Sequence, residues 1–236
     1  MVSEFPGFLS RSLDRKTTES LRAAAVERSA TLNDLLIRDL FHAMHTWNRQ
    51  QGSTSRNRLR IMMPTDMRVA EDCEMPAANL TSYTFLSRDV RHWGSPAELL
   101  SSVQAETAQI KRDRLGTKFM SSVSWAARRA NLLTFLATRN ICLASAVLSN
   151  AGDPSRRFTA KFTRQSGRIV AGNLVLEAIT GVPPLRPKTR ATFSVSQYNR
   201  RLTVSLRCDP SCFTMADTDA LLNIYVEHLL ESAELM

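Results

Sequence analysis

Residues 31–52, TLNDLLIRDLFHAMHTWNRQQG, set Leu32, Leu36, Leu40, Ala43 and Trp47 on one side of a helix of about six turns. Thr31 followed three residues later by Asp34 is an N-terminal capping pattern, and Gly52 ends the segment. An apolar stripe of that length has to be buried against another layer. The following segments supply one. RLRIMMP (58–64) reads as a strand from its length and apolar content, and NLTSYTFLSRDV (79–90) as an alternating one. TDMRVAEDCEMPAA (65–78) is the loop between them.

Helices and strands continue to mix along the chain. GFLSRSLD (7–14) is a short strand, and residues 14–30 form a helix with Leu21, Ala24, Ala25 and Arg28 at helical spacing and its end at Ser29. Residues 94–116 carry Ser95, Pro96 and Glu98 as cap, first helical residue and capping-box partner, and Gly116 is read as the stop. Residues 121–140 are helical in pattern, and residues 141–154 are an apolar strand running into an Asn, Gly, Asp and Pro turn. Three strands follow at 168–180, 190–199 and 201–209, the last two joined across Asn199 and Arg200 as a hairpin. Residues 213–235 close the chain as a helix capped by Thr214 and Asp217, burying Leu221, Leu222, Tyr225 and Leu229. No internal repeat or low-complexity tract interrupts this order, so one α/β (α+β) layered domain over residues 1–236 is expected.

At 236 residues and 43% hydrophobic, the chain is long enough to bury such a core. It has no apolar run long enough for a membrane span and no basic head with an apolar stretch at its start, so a soluble, cytoplasmic protein is expected. Cys73, Cys142, Cys208 and Cys212 show no regular spacing, and reduced thiols are the default reading. The net charge of +9 is concentrated. Residues 1–110 carry 13 basic and 13 acidic groups, residues 111–207 carry 18 and 3, and residues 208–236 carry 6 acidic groups alone. The cationic middle is either a solvated surface or a face for an anionic partner. Nucleic acid is not the expected partner, because the region lacks the interleaved aromatics of single-strand readers and any groove-entering motif.

Self-contained catalytic signatures are missing. The sequence has no G-x-S-x-G turn, no phosphate loop and no G-x-G-x-x-G fingerprint. His42 and His45 share a helix face but have no third ligand nearby, and His42 falls toward the polar side of the stripe. Cys208 and Cys212 lack the paired spacing of a zinc site, so no metal is expected. LSNAGDP (148–154) differs in kind, because it sets Ser149 and Asn150 at a strand tip, where open sheets carry ligands. An ordinary strand-to-loop turn built on Asn150 and Gly152 is the competing reading.

In order, these pieces resemble the C-terminal half of the chloramphenicol-acetyltransferase-like acyltransferases, the superfamily of condensation domains, wax-ester synthases and alcohol acetyltransferases. TLNDLLIRDLFHAMHTWNRQQG looks like the helix that opens the second half, LRIMMPTDMR like its strand ending in Pro-x-x-x-Arg, and MPAANLTSYTF like the following Gly-Asn strand with Ala78 in place of glycine. LSNAGDP resembles, shortened and rearranged, the Ser-Asn-x-x-Gly-Pro loop of the wax-ester synthase branch. The likeness runs from about Leu13 to Leu230.

The resemblance implies a mixed sheet covered by helices, one wall of an acyl tunnel, and transfer of acyl groups from coenzyme A or from the phosphopantetheine arm of an acidic carrier protein, with no tightly bound cofactor. The superfamily's general base is the second histidine of a His-His-x-x-x-Asp motif in the N-terminal half, and His42, His45, His92 and His228 do not match it. No catalytic residue is therefore assigned in this chain, and it should not turn over alone. The resemblance makes Arg68 a brace to the aspartate of that motif. The local alternative pairs it with Asp66, Glu71 or Asp72. Thr65, Asn79, Ser149 and Asn150 are the tunnel or interface candidates. The expected partner is an N-terminal half or, in the alternative of a non-catalytic interaction module, a second copy or a carrier protein.

Overall fold

Six strands form one mixed sheet in the order β1-β9-β8-β4-β2-β3, with β2, β4 and β8 parallel to one another and the outer pairings antiparallel. These are β1 (Leu9–Leu13), β2 (Arg58–Asp66), β3 (Thr81–Asp89), β4 (Ala146–Gly152), β8 (Ala191–Tyr198) and β9 (Arg201–Cys208). The computed structural model describes residues 7–52, 57–69, 71, 72, 75, 80–129, 131, 135, 138, 143–155, 162–185 and 189–234. Within these, β5 (Thr163–Gln165), β6 (Arg168–Ala171) and β7 (Leu174–Val175) make a separate three-stranded sheet. The helices are α1 (Arg15–Glu27), α2 (Leu32–Gln50), α3 (Pro96–Arg112), α4 (Gly116–Ala127) and α5 (Met215–Glu234).

The main core lies between one face of the sheet and the helices α1, α2, α3 and α5. Leu59, Ile61, Leu86, Ala146, Leu148, Phe193, Val195, Leu202 and Val204 meet Leu21, Leu36, Leu40, Phe41, Leu99, Val103, Leu221 and Tyr225 there. Alternation puts different chemistry on the opposite face. Met62 and Val147 form a small apolar cluster there, and on the same face beyond β8 the hydroxyls of Ser10 and Ser205 and of Ser12 and Thr203 pair across the β1–β9 ladder at 2.7 and 2.9 Å.

Helix starts follow the expected caps. Thr31 with Asp34 and Ser95 with Glu98 both form reciprocal capping boxes, and Thr214 bonds Asp217 in the same way. The β8–β9 turn puts both Asn199 and Arg200 at positive φ, 48° and 63°, as a two-residue hairpin with the right-handed strand twist requires.

Four expectations are corrected. Gly116 does not stop α3, which ends at Arg112. Gly116 instead opens α4 against the sheet edge, where its carbonyl accepts a 2.6 Å hydrogen bond from Ser82 and an added Cβ would lie 2.7 Å from the Met67 sulfur. The next helix is α4, displaced toward the N-terminus from the expected 121–140, much of whose C-terminal half lies outside the described residues. The run 168–180 is a tight hairpin, β6 and β7, because Gly172 at φ 62° folds it back, and residues 176–180 form no strand. Finally, β2 continues through Thr65 and Asp66, both paired with β3, rather than yielding to a loop after Pro64.

Candidate functional site

Because β2, β4 and β8 are parallel, their C-terminal ends share one edge of the sheet. The ladder pairs Met62 with Val147 and Val147 with Thr192, so Thr65, Ser149 and Asn150 reach that edge within one pair of neighbouring strands. Strand alternation then divides them. Thr65 and Asn150 lie on the helix face. The Thr65 hydroxyl is 3.4 Å from that of Thr84, and Asn150 donates through Nδ2 to Asn33 of α2 at 3.3 Å. Asn150 Oδ1 also accepts from the Gly152 amide at 3.0 Å, which shapes the strand end with Gly152 at φ 62°.

Ser149 points to the other face, into a cavity of about 260 Å³ that it shares with Met62, Pro64, Tyr83, Pro184 and Thr192. The Thr192 hydroxyl there is buried without a hydrogen-bond partner among the described residues. Sequence reading missed Thr192, Tyr83 and Pro184. The signal for Thr192 was present in ATFSVSQY, whose alternation puts Thr192, Ser194 and Ser196 on one side and Ala191, Phe193 and Val195 on the other. Pro184 comes from a segment with no periodicity to read.

Arg68 lies two residues past the end of β2 and is exposed. Its guanidinium is 3.8 Å from Asp66, and its amide donates to the same carboxylate at 3.1 Å. Asn79 lies outside the described residues. The site residues therefore form two faces of one strand edge, not one cluster.

The other polar residues singled out lie elsewhere. His42 is not on an open polar face: α2 is buried nearly all round, and the ring sits 5.4 Å from Trp93 and 5.7 Å from the His228 ring between α2 and α5. Burial foremost, then the neighbouring His228 and Arg38, pushes His42 down to about 4. Cys208 is buried in the main core and its thiol is pushed up to about 12, chiefly by desolvation. Cys212 is exposed, 2.7 Å from an Arg190 nitrogen. Among the described residues no three His, Cys, Asp or Glu side chains gather as a metal site. No helix among them is long and apolar enough to cross a membrane.

Neither a family model nor a curated protein matches the sequence. Solved structures do match the fold. The epimerization domain from the third module of tyrocidine synthetase B superposes with a TM-score of 0.64 at 15% identity, covering 99% of this chain and 50% of that one. The first condensation domain of the calcium-dependent antibiotic synthetase, in complex with a substrate analogue, gives 0.62 at 17% identity, covering 97% and 44%. The condensation domain of the Monacolin K polyketide synthase gives 0.64 at 14% identity, covering 98% and 48%. The chain spans about half the length of these structures. It has the chloramphenicol-acetyltransferase-like fold of condensation domains, over about half of their length.

Proposed function

We propose that this chain is the C-terminal portion of an acyl- or peptidyl-transferring protein of the condensation type, forming one wall of the acyl tunnel. The observation that carries this is the coincidence of the condensation-domain fold with a cavity at the strand edge, where Ser149 and the Thr192 hydroxyl, unpartnered among the described residues, face a space walled by Met62, Pro64 and Tyr83. Such a lining suits a thioester on an extended, mostly apolar arm, with hydroxyls to orient its polar atoms. The donor is acyl-coenzyme A or an acyl group on the phosphopantetheine of an acidic carrier protein, and the cationic stretch 111–207 is the attraction for either.

The general base comes from a partner half bearing His-His-x-x-x-Asp, because no histidine here has that setting. Arg68 is the brace to that aspartate. Its exposed position two residues past the end of β2 supports this, because a carboxylate of the partner half can reach it there. Thr65 and Asn150 belong to the surface that meets the partner half.

An acyl-pantetheine titrated into the chain tests this reading. Ser149→Phe fills the cavity and is expected to weaken binding roughly tenfold or more. Unchanged affinity in a variant with wild-type circular dichroism would remove the cavity from the acyl path.

A further inference from the structure

Deep in the cavity that Ser149 borders, three side chains lie abreast on the same face of the sheet. Met62 of β2 pairs with Val147 of β4, and Val147 with Thr192 of β8. They are buried, at 8%, 6% and 2% exposure, and Thr189, also buried, lines the same space. Pro64 and Ser149 stand two residues further along β2 and β4, about 7 Å nearer the sheet edge. Both are half-buried, as is Tyr83, which lies opposite Pro64 on β3 and is held by Phe119 of α4 at 5.5 Å between ring centroids. The cavity therefore has a direction. Its mouth lies among Pro64, Tyr83 and Ser149, and its floor among Met62, Val147 and Thr192.

The floor carries a hydroxyl that the fold does not use. Among the described residues the Thr192 Oγ1 has no hydrogen-bond partner, and its ladder neighbours Val147 and Arg207 leave it unbonded. Elsewhere on this face hydroxyls meet hydroxyls, Ser10 with Ser205 and Ser12 with Thr203. A buried hydroxyl without a partner is unfavourable, whereas valine has the same branched shape and the same preference for strands without that cost. A threonine here is explained by a ligand that enters with a polar atom at its leading end. The ligand is small. The cavity holds about 260 Å³, below the range of drug-sized sites. At about 30 Å³ for each water-sized group, such a space takes about eight or nine non-hydrogen atoms.

We infer that the acyl group received here is short and carries a hydroxyl or carbonyl oxygen near its far end, which hydrogen-bonds to Thr192 while the carbons between lie on Met62 and Val147. This rests on the acyl-path reading of the cavity given above and names the class of acyl group that path selects. A saturated chain of the same length would bring a methyl group to the floor and keep the Thr192 hydroxyl buried and unbonded, so Thr192 is a specificity-determining residue. Ser149, at the mouth, meets the atoms nearer the thioester.

Two probes of equal length test this, S-(5-hydroxypentanoyl)-pantetheine and S-hexanoyl-pantetheine, which differ only in a terminal hydroxyl against a terminal methyl. Titrated into the full chain by calorimetry, the hydroxylated probe is expected to bind roughly tenfold more tightly or better, and Thr192→Val should remove that preference, chiefly by weakening the hydroxylated probe. A second measurement needs no ligand. Thr192→Val takes away a buried hydroxyl that bonds to nothing, so the urea midpoint of the unliganded chain should hold or rise. Binding of both probes without preference, a preference that survives Thr192→Val, or a clear fall in the unliganded midpoint would each overturn this inference and leave the acyl path standing. Binding of neither probe at millimolar concentration would remove the cavity from the acyl path and the inference with it.

Discussion

His42 shows how one side chain couples this core to pH. It faces Trp93, His228 and Glu231, with Arg38 and His45 on its own helix, and its Nε2 is buried without a partner among the described residues. Its folded-state value of about 4 lies below the ordinary 6.5, so the unfolded chain takes up a proton first as pH falls. The stabilisation from neutral His42 is complete above pH 6.5 and is lost between there and about 4. It is worth on the order of 1–3 kcal/mol, because the ring keeps some contact with water. Asp39 acts in the opposite sense. Burial lifts it to about 6 despite Arg38 at 2.7 Å and Ser232 at 2.8 Å, so the folded state binds its proton before the unfolded one. The measurement is therefore a difference: urea midpoints of wild type and His42→Phe should converge as pH falls from 7 toward 4 only if Phe escapes the loss, with the variant gaining relative stability. Parallel curves would show that His42 does not titrate differently on folding. The sequence could not disclose this burial. A one-helix stripe gives one apolar side, whereas α2 is enclosed by the sheet, α1, α3 and α5, and Asp34, Arg38 and Asp39 are buried with it.

Caps and turns were the elements most legible in advance, because their cause is local. Thr31, Ser95 and Thr214 start helices through hydrogen bonds within three residues, and Asn199-Arg200 turns the chain by two backbone angles. The same locality gives a prediction. Arg200 has φ 63°, which an L side chain adopts at a cost, and its ion pair with Glu19 is long and exposed at 3.6 Å. Arg200→Gly should raise stability by about 0.5–1 kcal/mol in urea unfolding, and a loss of stability would mean that the ion pair outweighs the backbone strain. What could not be read locally was fixed by tertiary contact. Gly116 read as a helix stop because glycine often is one, but close approach to Met67 and Ser82 makes it the start of α4. Likewise, Ser149 and Asn150 were legible as a strand tip, whereas the cavity beyond Ser149 depends on Pro184 and Thr192, which only the assembled sheet brings near.

At the scale of the molecule, α4 decides what the surface is for. Met120, Val123 and Trp125 are 44%, 36% and 55% exposed on one short helix, and Met120 and Trp125 line a further groove with Met67 and Leu80 at the β3 edge. Arg128 and Thr117 lie beside them, so the patch has a polar rim around an apolar centre, the composition of a surface that meets another protein. If the partner is a complementary half, the isolated chain should be monomeric by light scattering and should bind a hydrophobic-surface dye strongly. Trp125→Glu with Met120→Glu should then reduce dye binding several-fold while leaving the circular dichroism unchanged, because neither side chain belongs to the main core. If a second copy covers the patch, the chain should run as a discrete dimer with little dye response, and the same pair of substitutions should return it to monomer. The first result sends the search to a His-His-x-x-x-Asp half that restores acyl transfer on mixing. The second assigns the fold to a self-sufficient interaction module and removes the transferase role from this chain.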